Sequence, residues 1–160
     1  MKDGTGLLIA NSPLFDQTQK NIWVGLAYGG VLHLADDGFD PGPILRMIGT
    51  GDVQITNLAP SAFEVLTELD TEGVLPNLKV ILLGGEMLRP AACTALIGTD
   101  SRLLNNYGPT EASVTCSSYE LDLSTADAEK WPVPFGTAFR GVRYHVLDGR
   151  MRPRAAGSDR

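Results

Sequence analysis

The sequence predicts an α/β protein in which a layered, largely parallel sheet carries covering helices. Three observations predict it. Short apolar runs alternate with longer amphipathic segments along the chain. Runs such as Lys79-Val80-Ile81-Leu82-Leu83 are almost unbroken, as strands covered on both faces require. No domain boundary shows before about Asp122.

Leu7-Leu8-Ile9-Ala10 reads as the first strand and stops at Asn11-Ser12-Pro13. Residues 18–28 predict a helix with Ile22, Trp23, Leu26 and Ala27 on its buried stripe, ended by Gly29-Gly30. Val31-Leu32-His33-Leu34-Ala35 is a strand, and the helical segment after it contains Ile44, Leu45, Met47 and Ile48. Val53-Gln54-Ile55-Thr56-Asn57 is another strand. Pro60 then stands near a helix start, where its missing N–H costs little, and Phe63, Val65, Leu66 and Leu69 supply that helix's apolar side. Lys79–Leu83 runs into the turn Gly84-Gly85-Glu86, and a short helix follows over about residues 89–97. Leu103-Leu104-Asn105 precedes Asn106-Tyr107-Gly108-Pro109-Thr110-Glu111. Extended segments are expected at Ser113–Ser117 and, last, at Arg143–Leu147. The polar stretch Asp122–Pro134 reads as a surface connection and Pro153–Arg160 as a linker or disordered end.

With 160 residues, 43% of them hydrophobic, the chain buries a core without disulfides or a structural metal. Its formal charge of -6 and lack of a basic cluster give no reason to expect nucleic acid. Cys93, Cys116, His33 and His145 have no metal-ligand spacing, so two thiols in a cytoplasmic protein is the simplest reading. No apolar run is long enough to span a bilayer, and the N-terminus has no signal-peptide pattern.

Ligands of open α/β sheets bind beyond the carboxyl ends of strands. Two loops meet that condition if their strands are adjacent: Gly84-Gly85-Glu86 and Tyr107-Gly108-Pro109-Thr110-Glu111. Their glycines allow close backbone approach, Tyr107 offers a flat face to a base, and Thr110 a hydroxyl to a phosphate. Glu111 suits Mg2+, which prefers carboxylate and phosphate oxygens. On residue pattern alone the alternative stays open that these are plain connections, with Tyr107 packing and Glu111 favouring a helix start.

Phe15-Asp16-Gln17-Thr18, Leu82-Leu83-Gly84-Gly85-Glu86 and Asn105-Asn106-Tyr107-Gly108-Pro109-Thr110-Glu111 together resemble the adenylation domain of nonribosomal peptide synthetases, within the adenylate-forming ligases. The resemblance runs from about residue 7 to residue 150. It implies a partial N-terminal adenylation domain over 1–150, with 151–160 a truncated end or flexible tail. It also implies an enzyme that joins an amino acid to ATP as an aminoacyl adenylate. The aminoacyl group then passes to the phosphopantetheine thiol of a peptidyl carrier domain. Under it, Gly84, Gly85, Glu86, Asn106, Tyr107, Gly108 and Thr110 bind the nucleotide. Thr110 and Glu111 serve catalysis, with Glu111 on Mg2+. Asp16 would pair with the substrate's α-ammonium, a charge-assisted bond, although a capping carboxylate would look the same in sequence. The side-chain pocket would be drawn from Gln17, Lys20, Asn57, Leu82, Gly84, Asn106, Val114 and Thr115. So polar a set points to a polar or acidic amino acid, unless Lys20 simply turns outward to solvent.

The family's phosphate loop, ribose-binding aspartate and catalytic lysine find no counterpart among these residues, so the chain alone is expected to be an inactive fragment. The competing expectations are a fragment of a carboxylate-CoA or aryl-acid ligase, or a nucleotide-binding relic without catalysis.

Overall fold

The computed structural model describes residues 3–36, 38–124 and 132–154. Seven strands form one sheet: β1 (Gly6–Ile9), β2 (Val31–Leu34), β3 (Val53–Leu58), β4 (Val80–Gly84), β5 (Arg102–Tyr107), β6 (Ser117–Leu121) and β7 (Thr137–Ala138). Their spatial order is β2-β1-β3-β4-β5-β6-β7. β1 to β5 pair in parallel, and β6 and β7 join antiparallel. The expected α/β architecture is present, as a mixed sheet with three α-helices among the described residues.

The helices are α1 (Asp16–Ala27), α2 (Pro41–Gly49) and α3 (Pro60–Leu69). Asp40 caps α2 by accepting the Gly42 N–H at 3.1 Å. Pro60 occupies the first turn of α3, as its sequence position predicted. On β4, Ile81 and Leu83 are fully buried in the cluster that includes Ile44, Ile48, Phe63 and Leu66 of α2 and α3. Leu82 points the other way, into an apolar cleft shared with Val24 and Tyr28 beside α1. The two sheet faces are thus covered unequally, and the dense core lies under α2 and α3.

α1 reverses the expected stripe. Its buried residues are Thr18, Asn21 and Gly25, whereas Trp23 is 69% and Leu26 57% exposed. The helix packs beside β1 and β2 through small and polar residues. Its polar side faces inward.

Three local departures share one cause, tertiary context overriding local propensity. The segment expected as a helix near residues 89–97 is 3-10 in form over Pro90–Leu96. Ser113 and Val114 take left-handed backbone (φ 61° and 73°), so the strand expected at Ser113–Ser117 begins only at Ser117. This bend is how the chain turns from β5 into its antiparallel neighbour β6. Arg143–Leu147 forms no strand, since no long neighbour pairs with it. Leu147 makes a single bridge to Pro153, and Asp148 accepts from Arg152 within that turn.

Leu123 and Val133 are buried at the two ends of the expected surface connection, whose residues 125–131 lie outside the described residues, as do 155–160 of the expected tail. Among the described residues no helix is long and apolar enough to cross a membrane.

Candidate functional site

A cavity of about 370 Å³ opens at the carboxyl ends of β3, β4 and β5. The register explains the convergence: Asn57 of β3 lies beside Leu82 of β4, and Gly84 of β4 beside Asn106 of β5. The adjacency on which the two-loop expectation depended is therefore present. Asp16, Gln17 and Lys20 reach the cavity from the first turns of α1, and Asn57 from β3. Gly84, Gly85 and Glu86 line it after β4, while Asn106, Gly108 and Thr110 line it at the end of β5. Val114 and Thr115 close the wall from the bend before β6.

Three expected site residues do not line it. Leu82 belongs to the apolar cleft beside α1, which Lys20 also borders. Tyr107 stands between the lining residues Asn106 and Gly108, but its ring stacks on Phe135 with centroids 4.3 Å apart. Glu111 sits in the short turn Thr110–Ala112 with its carboxylate exposed.

Gly85 leaves β4 with φ +84°, a left-handed conformation that glycine adopts freely. Gly108 is required by space. A Cβ there would lie 2.7 Å from Thr115 Cα and 2.7 Å from the Val114 carbonyl oxygen. Both obstacles are on the backbone, so the loop itself must move. Gly108→Ala is expected to cost about 1–3 kcal/mol, read as a lower urea midpoint. An unchanged midpoint would show that the two loop segments do not pack as described.

The polar side chains form a linked set. Gln17 donates its side-chain N–H to Asn57 Oδ1, and Asn57 Nδ2 donates to Asn21 Oδ1 at 3.0 Å. Asn57 is thus held from both ends of its amide. Lys20 Nζ donates to Thr115 Oγ1 at 3.1 Å, tying α1 to the bend before β6. Burial lowers the Lys20 pKa below the ordinary lysine value, and the nearby Asp16 carboxylate opposes that shift. Asp16 Oδ1 accepts the Gln17 backbone N–H at 2.6 Å. The Glu86 carboxylate accepts from Ser61 N at 3.1 Å and Ser61 Oγ at 3.0 Å, capping α3 from another segment.

Asn21 was not anticipated as part of this constellation. Its signal was available: Asp16, Gln17, Lys20 and Asn21 form a polar stripe at helical spacing. Asn11, Phe15, Ala59 and Pro109 also line the cavity and carried no individual chemical signal.

The chain matches the AMP-binding enzyme family over residues 4–158, and it belongs to that family. Its relatives over nearly its whole length include nonribosomal peptide synthetases. AMB antimetabolite synthetase AmbB of Pseudomonas aeruginosa is 33% identical over 159 residues, covering 98% of this chain and 12% of that protein. Holo-PA1221, a nonribosomal peptide synthetase protein containing adenylation and carrier domains, superposes with TM-score 0.81 at 30% identity, covering 96% of this chain and 27% of that one. The N-terminal subdomain of NpsA from Klebsiella oxytoca shares the fold with TM-score 0.80 at 24% identity, over 98% of this chain and 40% of that chain. The chain spans between 2% and 24% of the length of the curated relatives compared with it.

Proposed function

We propose that this chain supplies the amino-acid and nucleotide site of an enzyme that activates an amino acid with ATP and loads it onto a phosphopantetheinyl carrier domain. One observation carries the reading: Asp16 and the Gly84–Glu86 and Gly108–Thr110 loops line a single cavity. A carboxylate suited to an α-ammonium thus shares its space with two glycine-containing loops suited to a nucleotide. Family membership and the synthetase relatives support the same chemistry.

In this reading Asp16 takes the substrate's ammonium and holds its carboxylate toward the α-phosphate. A carboxylate oxygen attacks the α-phosphorus, the bond to the bridging oxygen of pyrophosphate breaks, and the aminoacyl adenylate forms. Thr110 donates its hydroxyl to the α-phosphate as charge develops there. Gly84, Gly85 and the Glu86 backbone border the adenine. Phe135 fixes the plane of Tyr107 for packing against that base. Gln17, Asn57, Asn106, Val114 and Thr115 surround a polar or acidic side chain. ATP supply places this work in the cytoplasm.

For Mg2+ the site offers one carboxylate outside the cavity lining, that of Glu111, next in the chain to the lining residue Thr110. Among the described residues no three His, Cys, Asp or Glu side chains gather into a metal site. Glu111 makes no hydrogen bond or ion pair there. A lone available carboxylate suits Mg2+, which takes one or two carboxylates together with substrate phosphates. Glu111 would hold the ion, and the ion would neutralise phosphate charge.

Amino-acid-dependent exchange of pyrophosphate into ATP, measured on the native polypeptide that carries these residues, tests the proposal. Exchange with at least one α-amino acid is expected. Exchange only with acids that lack an α-amine would replace it with an aryl-acid or carboxylate-CoA ligase reading. ATP binding without exchange for any acid would leave a nucleotide-binding relic.

A further inference from the structure

Lys20 is a cation built into the cavity without an ionic partner. α1 places it one turn after Asp16, on the same helix face, and both line the cavity. Its ammonium has three N–H donors, of which Thr115 Oγ1 takes one at 3.1 Å. No carboxylate of the described residues lies within ion-pair distance of it. Neither of the two carboxyl groups lining the same cavity pairs with it. Asp16 accepts from the Gln17 backbone, and Glu86 is bound to Ser61 at the start of α3. A half-buried ammonium in this position lacks full hydration, and the Asp16 carboxylate near it forms no ion pair with it.

The neighbouring amides do not offer the stronger recognition signal. Gln17, Asn57 and Asn21 spend amide groups on one another, which fixes their orientations. Lys20 therefore remains the group with the largest uncompensated demand. An aliphatic side chain would remove its remaining water and return nothing. A neutral amide would offer an acceptor but no charge. A carboxylate would offer both, and charge-assisted bonds are about twice as strong as neutral ones.

We infer that the amino acid taken by this site carries a negatively charged side chain whose carboxylate pairs with Lys20, one helical turn from the Asp16 that takes the α-ammonium. The inference rests on the amino-acid-activation reading and narrows it from polar or acidic side chains to acidic ones. Asp16 and Lys20 then form a dipolar frame matched to a dipolar substrate. Thr115 holds the Lys20 ammonium in place, and the Gln17–Asn57–Asn21 set holds the wall beside it.

The experiment is pyrophosphate exchange by the native polypeptide with aspartate, glutamate, asparagine, glutamine, leucine, succinate and glutarate. The better acidic amino acid should exceed its amide counterpart by about 10-fold or more in kcat/KM. Lys20→Met keeps the aliphatic stem and should bring that acid-to-amide ratio to about 1 or below. Lys20→Glu should turn the preference toward lysine or ornithine. Because each ratio is read within one protein, loss of folded enzyme cancels. A wild-type preference for leucine or for an amide overturns the inference, as does an acid-to-amide ratio unchanged in Lys20→Met. Succinate or glutarate exchanging as well as aspartate or glutamate would instead overturn the amino-acid reading beneath it.

Discussion

Asp16→Asn is expected to lower kcat/KM for amino-acid-dependent pyrophosphate exchange by at least about 30-fold, since removing one partner of a desolvated charge pair costs about 2 kcal/mol or more. Asparagine keeps the size and one acceptor oxygen of Asp16 but removes its charge. The loss should fall on substrates bearing an α-ammonium. A matched acid without the amine should lose much less, because it brings no positive charge to the site. Steady-state exchange with each member of such a pair measures the difference. Equal losses would return Asp16 to a structural role at the start of α1, where its carboxylate already accepts the Gln17 N–H. Asp16 also faces Lys20, so the variant is expected to weaken the opposing influence that keeps the Lys20 pKa from falling further.

Phe63→Ala is expected to destabilise the fold by about 3–5 kcal/mol, the range for removing a buried aromatic ring. Phe63 is fully buried in the core under α3. Domains hold together by only about 5–15 kcal/mol, so this one change removes a large share. Chemical denaturation should show a lower midpoint, and a change below about 1 kcal/mol would contradict the packing described. The effect also reaches the site. α3 begins at Pro60, and Ser61 in its first turn holds the Glu86 carboxylate at the cavity wall. Loosening α3 therefore loosens the Gly84–Glu86 loop, and Phe63→Leu, which keeps most of the packing, should retain more exchange activity than Phe63→Ala.

Most of the sheet was legible because its strands announce themselves locally. Leu7–Ala10, Val31–Ala35, Val53–Asn57 and Lys79–Leu83 are apolar runs bounded by turn residues, and each lies within a residue or two of an observed strand. The convergence of Asp16, Gly84 and Thr110 was legible through the three motifs that carry the family resemblance, and that of Asn57 only through what the resemblance implies. Direction and partnership were not. The inward polar face of α1 depends on what surrounds it, and an apolar stripe containing Trp23 and Leu26 suggests the opposite orientation. Val114 and Thr115 favour extended backbone by propensity. The reversal between β5 and β6 imposes a bend, and Val114 accepts a left-handed conformation that β-branched residues rarely adopt. The amides of Gln17, Asn57 and Asn21 meet across a helix and a strand, a pairing that linear spacing does not reveal.

The sheet order has a consequence for how the protein is made. From β4 onward each strand lies beside the one synthesised just before it, and only β1, seated between β2 and β3, interrupts the sequence. A chain emerging from the ribosome can add these strands one at a time, each finding its neighbour already in place. Closing a crossover between strands that are successive in the chain costs less entropy than waiting for a more distant partner. The helix bearing Asp16 and Lys20 is therefore available early, and the loop with Gly108 and Thr110 arrives later to complete the cavity. The cavity wall from α1 is laid down during synthesis before the wall from the bend between β5 and β6.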